Sequence, residues 1–138
     1  MKSRNISVYL VEDSPIISNL LTELIETIDA TVVGHADTAS EAIADIAALR
    51  PDAVTIDIGL KAGNGFDVLE ALAINTDEDN APLRIVLTNY TTDAYRDAAQ
   101  QLGADHFFGK AMQMREVLSV LESLSKSNAG GFDSAIAA

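Results

Sequence analysis

Ile6-Ser7-Val8-Tyr9-Leu10-Val11-Glu12-Asp13-Ser14-Pro15 is a short apolar run that stops on two carboxylates and then opens a helix. Ser14 is placed to cap that helix and Pro15 suits its first position. Ile17, Leu20, Leu21, Leu24, Ile25 and Ile28 then follow at three-four spacing, which predicts one face packed on a sheet. Three further runs end in the same way: Ala53–Ile56 at Asp57, residues 85–87 at Thr88, and His106–Gly109 at Lys110. Parallel α/β sheets present ligands at the carboxyl ends of their strands. The spacing therefore predicts that Glu12, Asp13, Asp57, Thr88 and Lys110, far apart in sequence, share one pocket rich in carboxylates.

Outward from these runs, β-branched stretches alternate with segments of helical period, the pattern of a βαβ protein with a parallel sheet. Thr31, Val32 and Val33 read as a second strand. Thr38 with Glu41 three residues later forms a capping box ahead of Ala42, Ile43, Ile46 and Leu49. Residues 59–65 form a loop with three glycines, after which Phe66, Leu69 and Leu72 mark a third helix. Residues 76–80, with Pro82, make an acidic connection; a fourth helix is expected over about 92–102, ended by Gly103. Met114, Val117, Leu118, Leu121 and Leu124 form the stripe of a fifth helix. One domain over 5–126 is expected, with 127–138 a flexible, small and polar tail in which Phe132 and Ile136 have the spacing of a short docking helix.

Composition narrows the function classes. The chain has 138 residues, 48% of them hydrophobic, enough for one sizeable core. Asp plus Glu number 21 against 9 Lys plus Arg, a net charge of −12 that opposes phosphate backbones and anionic membranes by like-charge repulsion. With no cysteine there is no disulfide or thiolate site, and His35 and His106 alone remain for a soft metal, which argues against zinc. The apolar run after Met1-Lys2-Ser3-Arg4-Asn5 is too short for a signal peptide, and no stretch reaches the roughly 20 apolar residues that span a bilayer. A soluble, cytoplasmic protein is the expectation.

Glu12-Asp13, Asp57, Thr88 and Lys110, in this order and each after an expected strand, make the chain resemble the receiver domain of two-component response regulators from about Ile6 to Leu124. The resemblance implies a flavodoxin-like, doubly wound sheet of five parallel strands in order 2-1-3-4-5 with five helices. It also implies a single-domain regulator that accepts a phosphoryl group on Asp57 from a histidine kinase or histidine phosphotransfer protein and signals by docking to a downstream protein. Such a domain is not an enzyme beyond its own phosphorylation and dephosphorylation.

A carboxylate can take up a phosphoryl group if the charge on the transferring oxygens is neutralised. Glu12, Asp13 and Asp57 would repel one another at close range, so a hard divalent cation, Mg²⁺, is the natural companion, with the Gly59 carbonyl as the further ligand that the resemblance implies. Lys110 and the Thr88 hydroxyl would each meet a phosphoryl oxygen. The family's switch implies that Thr88 moves toward that group and that Phe107, three positions before the lysine, turns inward. Docking would use Tyr95, Arg96, Phe107 and the exposed side of the Met114 helix, while the phosphoryl donor would approach the first helix beside Asp57.

Several positions depart from the family's usual pattern. Ala111 follows Lys110 where proline is common, so the loop there is expected to differ in shape, since a cis bond before a non-proline residue costs about 3 kcal/mol. Lys61 replaces a proline, and Asn89 replaces a small residue. Tyr90, two residues after Thr88, occupies a position that, with Gly59, tunes hydrolysis of the acyl phosphate, and its large ring is expected to screen water. These departures keep open a degenerate receiver that binds partners without phosphorylation. A flavin or nucleotide module is disfavoured because the loop after the first strand is Glu-Asp-Ser-Pro, whose charges repel phosphate. An aspartate-nucleophile phosphatase is disfavoured because Asp57-Ile58-Gly59 lacks a second acid two residues on.

Overall fold

Five aliphatic and β-branched runs lie side by side as one parallel sheet in the order β2-β1-β3-β4-β5. The computed structural model describes residues 4–75 and 80–137, the side chains as far as Ser127, so residues 76–79 of the expected acidic connection fall outside it. In chain order the elements are β1 (Ile6–Val11), α1 (Pro15–Ile25), β2 (Ala30–Ala36), α2 (Ala39–Leu49), β3 (Ala53–Ile56), α3 (Gly65–Asn75), β4 (Leu83–Thr88), α4 (Asp93–Gln101), β5 (His106–Gly109) and α5 (Lys110–Ala137). This is the expected doubly wound, flavodoxin-like topology.

Alternation along each strand divides the core between the two faces of the sheet. Ile6, Val8 and Leu10 of β1 are buried with Leu21 and Ile25 of α1 and with Val117 and Leu121 of α5. Tyr9 and Val11 point the other way, into a cluster with Ala42 and Ile46 of α2, Val68, Leu69 and Leu72 of α3 and Ala99 of α4. Tyr9 is the largest fully buried side chain. Its ring lies against Gly34, where an added Cβ would come within 2.9 Å of Cε2, and the β1–β2 register shifts between Val8 and Tyr9 beside this contact. The Tyr9 hydroxyl donates to Asp45 Oδ2 at 2.6 Å, tying β1 to α2.

The sheet register decides where the functional groups fall. Val11 pairs with Ile56, Ile56 with Val86, and Thr88 with Gly109, so β1, β3, β4 and β5 finish side by side. The residues just beyond those ends are therefore neighbours.

Local differences from the sequence expectations have packing reasons. Leu20 is 40% exposed although it shares the helical period, because α1 buries its stripe through Ser18, Leu21 and Ile25. Ile28 lies past the end of α1 yet still packs on the core. Half of the expected capping box forms: Thr38 Oγ1 accepts from the Glu41 N–H at 3.4 Å. Gly103 ends α4 with φ +98, and its N–H donates to the Gln100 carbonyl at 3.0 Å. α5 begins at Lys110, is interrupted at Gln113 (φ −126, ψ 15), and continues to Ala137, across the segment expected as a tail. The Lys110–Ala111 peptide is trans, as are the other described peptide bonds. Among the described residues no helix is long and apolar enough to cross a membrane.

Candidate functional site

All five strand-end residues cluster at the carboxyl edge of the sheet, where Asp13, Asp57 and Lys110 line one cleft and Glu12 and Thr88 lie buried against it. Asp57, at the end of β3, is buried, and its Oδ1 accepts from the Thr88 hydroxyl at 2.8 Å and from the Gly59 N–H at 3.3 Å. Its Oδ2 accepts from Lys110 Nζ at 2.7 Å. Lys110 also reaches both oxygens of Glu12 at 2.9 Å, so one ammonium holds two buried carboxylates. Glu12 is fixed further by the Ser14 N–H, which donates to Oε2 at 3.0 Å, while the Ser14 hydroxyl accepts from the Ile17 N–H at 3.3 Å and caps α1. Asp13 is the exposed member: one carboxylate oxygen from each of Glu12, Asp13 and Asp57 lies within 4.8 Å of the others.

The electrostatics differ between partners of the same contact. Burial raises the Glu12 pKa, more than Lys110 and the Ser14 N–H lower it. Burial also works to lower the Lys110 pKa, but there the hydrogen bonds and charges of Asp57 and Glu12 prevail, and the ammonium is held above its usual value. Lys110 gains from two carboxylates where Glu12 gains from one ammonium, so the cluster is more favourable for the lysine than for the glutamate. Three oxygen-bearing acids at this spacing match what a hard divalent cation requires, and the lone lysine leaves the set with excess negative charge. The residues present therefore fit Mg²⁺.

The remaining expected residues fall around this centre. The cleft, about 560 Å³, is lined by Asp13, Asp57, Gly59, Tyr90, Lys110 and Ala111 among others. Thr88 is wholly buried, and its Oγ1 also accepts from the Tyr90 N–H at 3.2 Å. Tyr90 itself is 47% exposed and leans over Gly59, where an added Cβ would be 2.7 Å from Cε2. Phe107, opposite Val86 in the sheet, is half-buried against the α2–α3–α4 side of the core, with the Arg96 guanidinium 4.7 Å from its ring centroid. Tyr95 does not stand free on α4. It stacks with Phe66 at 6.2 Å and meets Tyr90 at 5.2 Å.

Two supporting residues escaped the sequence reading. Gln113 Oε1 accepts from the Gly109 N–H at 2.9 Å, which bends the start of α5 and fixes the turn that carries Lys110. Gly65 lies under Asp57: a Cβ there would be 2.5 Å from the Asp57 carbonyl oxygen. The glycine-rich 59–65 loop was the available signal for Gly65, whereas no pattern marks Gln113.

Comparison with known proteins agrees with this geometry. The family model described as the response regulator receiver domain matches residues 8–122. The chain is 36% identical over 97 residues to protein-glutamate methylesterase/protein-glutamine glutaminase 3 of Hahella chejuensis, covering 70% of this chain and 27% of that protein. It is 31% identical over 120 residues to the sensory transduction protein LytT of Enterococcus faecalis, covering 86% of this chain and 48% of that one. The chain thus spans less than half the length of these relatives. Among solved structures, the response regulator domain of Thermotoga maritima CheB matches with TM-score 0.73 and 29% identity, over 88% of this chain and 94% of that one. The signal receiver domain of a Luxo repressor protein of Vibrio parahaemolyticus matches with TM-score 0.78 and 25% identity, over 93% and 96%. With strand order, acidic cleft and family match in agreement, the chain belongs to the response regulator receiver domain family of two-component systems.

Proposed function

We propose that Asp57 accepts a phosphoryl group from a histidine kinase or histidine-containing phosphotransfer protein, and that the chain then signals by docking to a downstream protein. Receiver domains are phosphorylated by such donors and bind Mg²⁺ at an acidic pocket. The observation that carries the reading is the Asp57 carboxylate itself, buried yet opening on the cleft, with Thr88 on one oxygen and Lys110 on the other.

In the transfer, a carboxylate oxygen of Asp57 forms a bond to phosphorus as the phosphorus–nitrogen bond of the donor phosphohistidine breaks, and the imidazole leaves with the electron pair. Lys110 and the Thr88 hydroxyl would follow the new charge from the carboxylate to the phosphoryl oxygens. Glu12, Asp13, Asp57 and the Gly59 carbonyl would hold Mg²⁺, which when bound supplies the charge that lets an anionic phosphoryl group approach an anionic site. Ile16, 78% exposed, and Leu20 give α1 an apolar surface beside the cleft that suits the donor protein. Thr88 and Phe107 are proposed as the switch, and Tyr90 with Gly59 as the groups that tune hydrolysis. A cytoplasmic location and a receiver unit over residues 5–126 belong to the same reading.

A second reading, a receiver that binds partners without phosphorylation, draws on the Tyr90 ring over Gly59, which narrows the cleft. The test is incubation with Mg²⁺ and acetyl phosphate followed by intact mass, wild type beside Asp57→Ala. One added phosphoryl group in the wild type alone is the expected result. No gain, with beryllofluoride also leaving the spectra unchanged, would overturn it in favour of the second reading.

A further inference from the structure

Tyr90 presents a mechanical problem. Its ring lies on the rim of the acceptor cleft and against Gly59, yet it is 47% exposed, and no side-chain hydrogen bond fixes it among the described residues. A half-exposed tyrosine with two rotatable bonds would ordinarily sample several rotamers. What holds this one is the Tyr95 ring of α4, 5.2 Å away and tilted by 46°. Tyr95 is in turn backed by Phe66 of α3, at 6.2 Å and within 10° of parallel.

The ladder returns to its origin. Phe66 directly follows Gly65, whose Cα is packed against the Asp57 carbonyl, and Tyr90 rests on Gly59. Three rings therefore bridge the two ends of the loop that follows the acceptor, from its start at Gly59 to its end at Phe66. The Gly65 N–H, donating to the Ile58 carbonyl at 2.9 Å, closes the same loop from beneath. Displacing the middle ring frees the outer one.

We infer that Tyr95, backed by Phe66, is a positioning residue for Tyr90, and that this ladder sets the lifetime of the phosphoryl group on Asp57. The inference rests on the proposed acceptor role of Asp57. In the step affected, a water oxygen forms the new bond to phosphorus, the bond from Asp57 oxygen to phosphorus breaks, the carboxylate is restored, and inorganic phosphate leaves with the water's proton lost to solvent. Water must enter the cleft whose rim includes Tyr90, so the fraction of time the ring spends over Gly59 governs its access. An aromatic pair biases such a rotamer equilibrium by about two- to tenfold.

The experiment loads the full chain with Mg²⁺ and acetyl phosphate, removes the donor, and follows phosphoryl loss by intact mass. Tyr95→Ala is expected to shorten the lifetime by about two- to tenfold, Tyr90→Ala by at least as much, and Tyr90→Ala/Tyr95→Ala no more than Tyr90→Ala alone. Tyr95→Phe, which keeps the ring, should restore the wild-type lifetime. A merely structural role for Tyr95 would lower the thermal midpoint without that non-additivity. Two results overturn the inference: a wild-type lifetime in Tyr95→Ala while Tyr90→Ala is fast, or an equal acceleration by Tyr95→Ala in the presence and absence of Tyr90. A wild type that takes up no phosphoryl group fails at the earlier step, and the acceptor role and this inference fall together.

Discussion

Lys110 Nζ stands 2.7 Å from Asp57 Oδ2 in a site where its side chain is only 8% exposed. It is at once the counter-charge of Asp57 and the tie between β5 and the loops after β1 and β3. Its pKa is raised because the two carboxylates outweigh the opposing effect of burial. Stability from this pairing is therefore complete below the ordinary lysine pKa and is lost as pH rises through the raised folded value. Lys110→Ala strands Glu12 and Asp57 without their ammonium, a change that costs about 3 kcal/mol for a buried pair. Urea unfolding in EDTA at neutral pH should show a loss of that order. Adding Mg²⁺ should return part of it; a deficit that Mg²⁺ leaves unchanged would argue against a shared carboxylate site for the metal.

Gly65 tests how closely the loop after Asp57 is braced. An added Cβ would lie 2.5 Å from the Asp57 carbonyl oxygen and 2.9 Å from Ile58 Cα, backbone atoms that no rotamer change can clear. Gly65→Ala should cost about 2 kcal/mol by overpacking and slow phosphorylation by acetyl phosphate, because relief requires moving Asp57. Gly103→Ala is the contrasting variant. At φ +98 it is strained in its own right, about 1 kcal/mol, but it lies after α4, and the phosphorylation rate should not change.

The site was legible in the sequence to the extent that strand ends announce themselves. Glu12, Asp13, Asp57, Thr88 and Lys110 each follow an apolar run, and in a parallel sheet such ends converge whatever the intervening length. The helices were less complete. The stripe of α1 included Leu20, which the periodicity alone could not place outside the core, because a three-four pattern wider than the contact leaves some apolar residues facing water. Tyr95 read as an open docking residue, since its pairing with Phe66 and Tyr90 joins three elements with no common period. The Gln113 kink depends on a side chain accepting from a backbone N–H four residues earlier, a competition that local pattern does not reveal.

Tyr9 and Asp45 make a part-buried polar tie between β1 and α2. Burial, with Asp45 close by, pushes the Tyr9 pKa well above its usual value, so the hydroxyl remains a donor throughout the working range. Tyr9→Phe keeps the ring against Gly34 but leaves the half-buried Asp45 carboxylate one partner short. A loss of about 1–2 kcal/mol in urea unfolding is expected, with little effect on phosphorylation, because the contact lies between β1 and α2 rather than in the cleft. A neutral Tyr9→Phe would mean that water replaces the hydroxyl at no cost.

Asp52, just before β3, fastens the amino-terminal ends of the neighbouring strands β1 and β3. Its Oδ2 accepts from the Ser7 N–H at 2.8 Å and from the Ser7 hydroxyl at 3.2 Å, and its Oδ1 accepts from Arg4 Nη2 at 2.8 Å. Burial alone would raise its pKa, but Arg4 and the Ser7 donors outweigh that and lower it. A depressed carboxyl pKa contributes stability that is present above the ordinary carboxylate range and is lost as pH falls through the folded value. Asp52→Asn should therefore be less stable than wild type by about 1 kcal/mol near neutral pH, the modest size reflecting an Arg4 side chain 45% exposed and screened by water. The gap should hold between about pH 5 and 8 and close below about pH 4 as the wild-type carboxyl protonates. Arg4→Ala separates the two contributions: salt at about 0.5 M should abolish its effect while leaving most of the Asp52→Asn deficit, since the Ser7 N–H bond is short-ranged and partly buried. A deficit in Asp52→Asn that stays constant down to about pH 2 would show that shape, and not charge, holds these strand ends together.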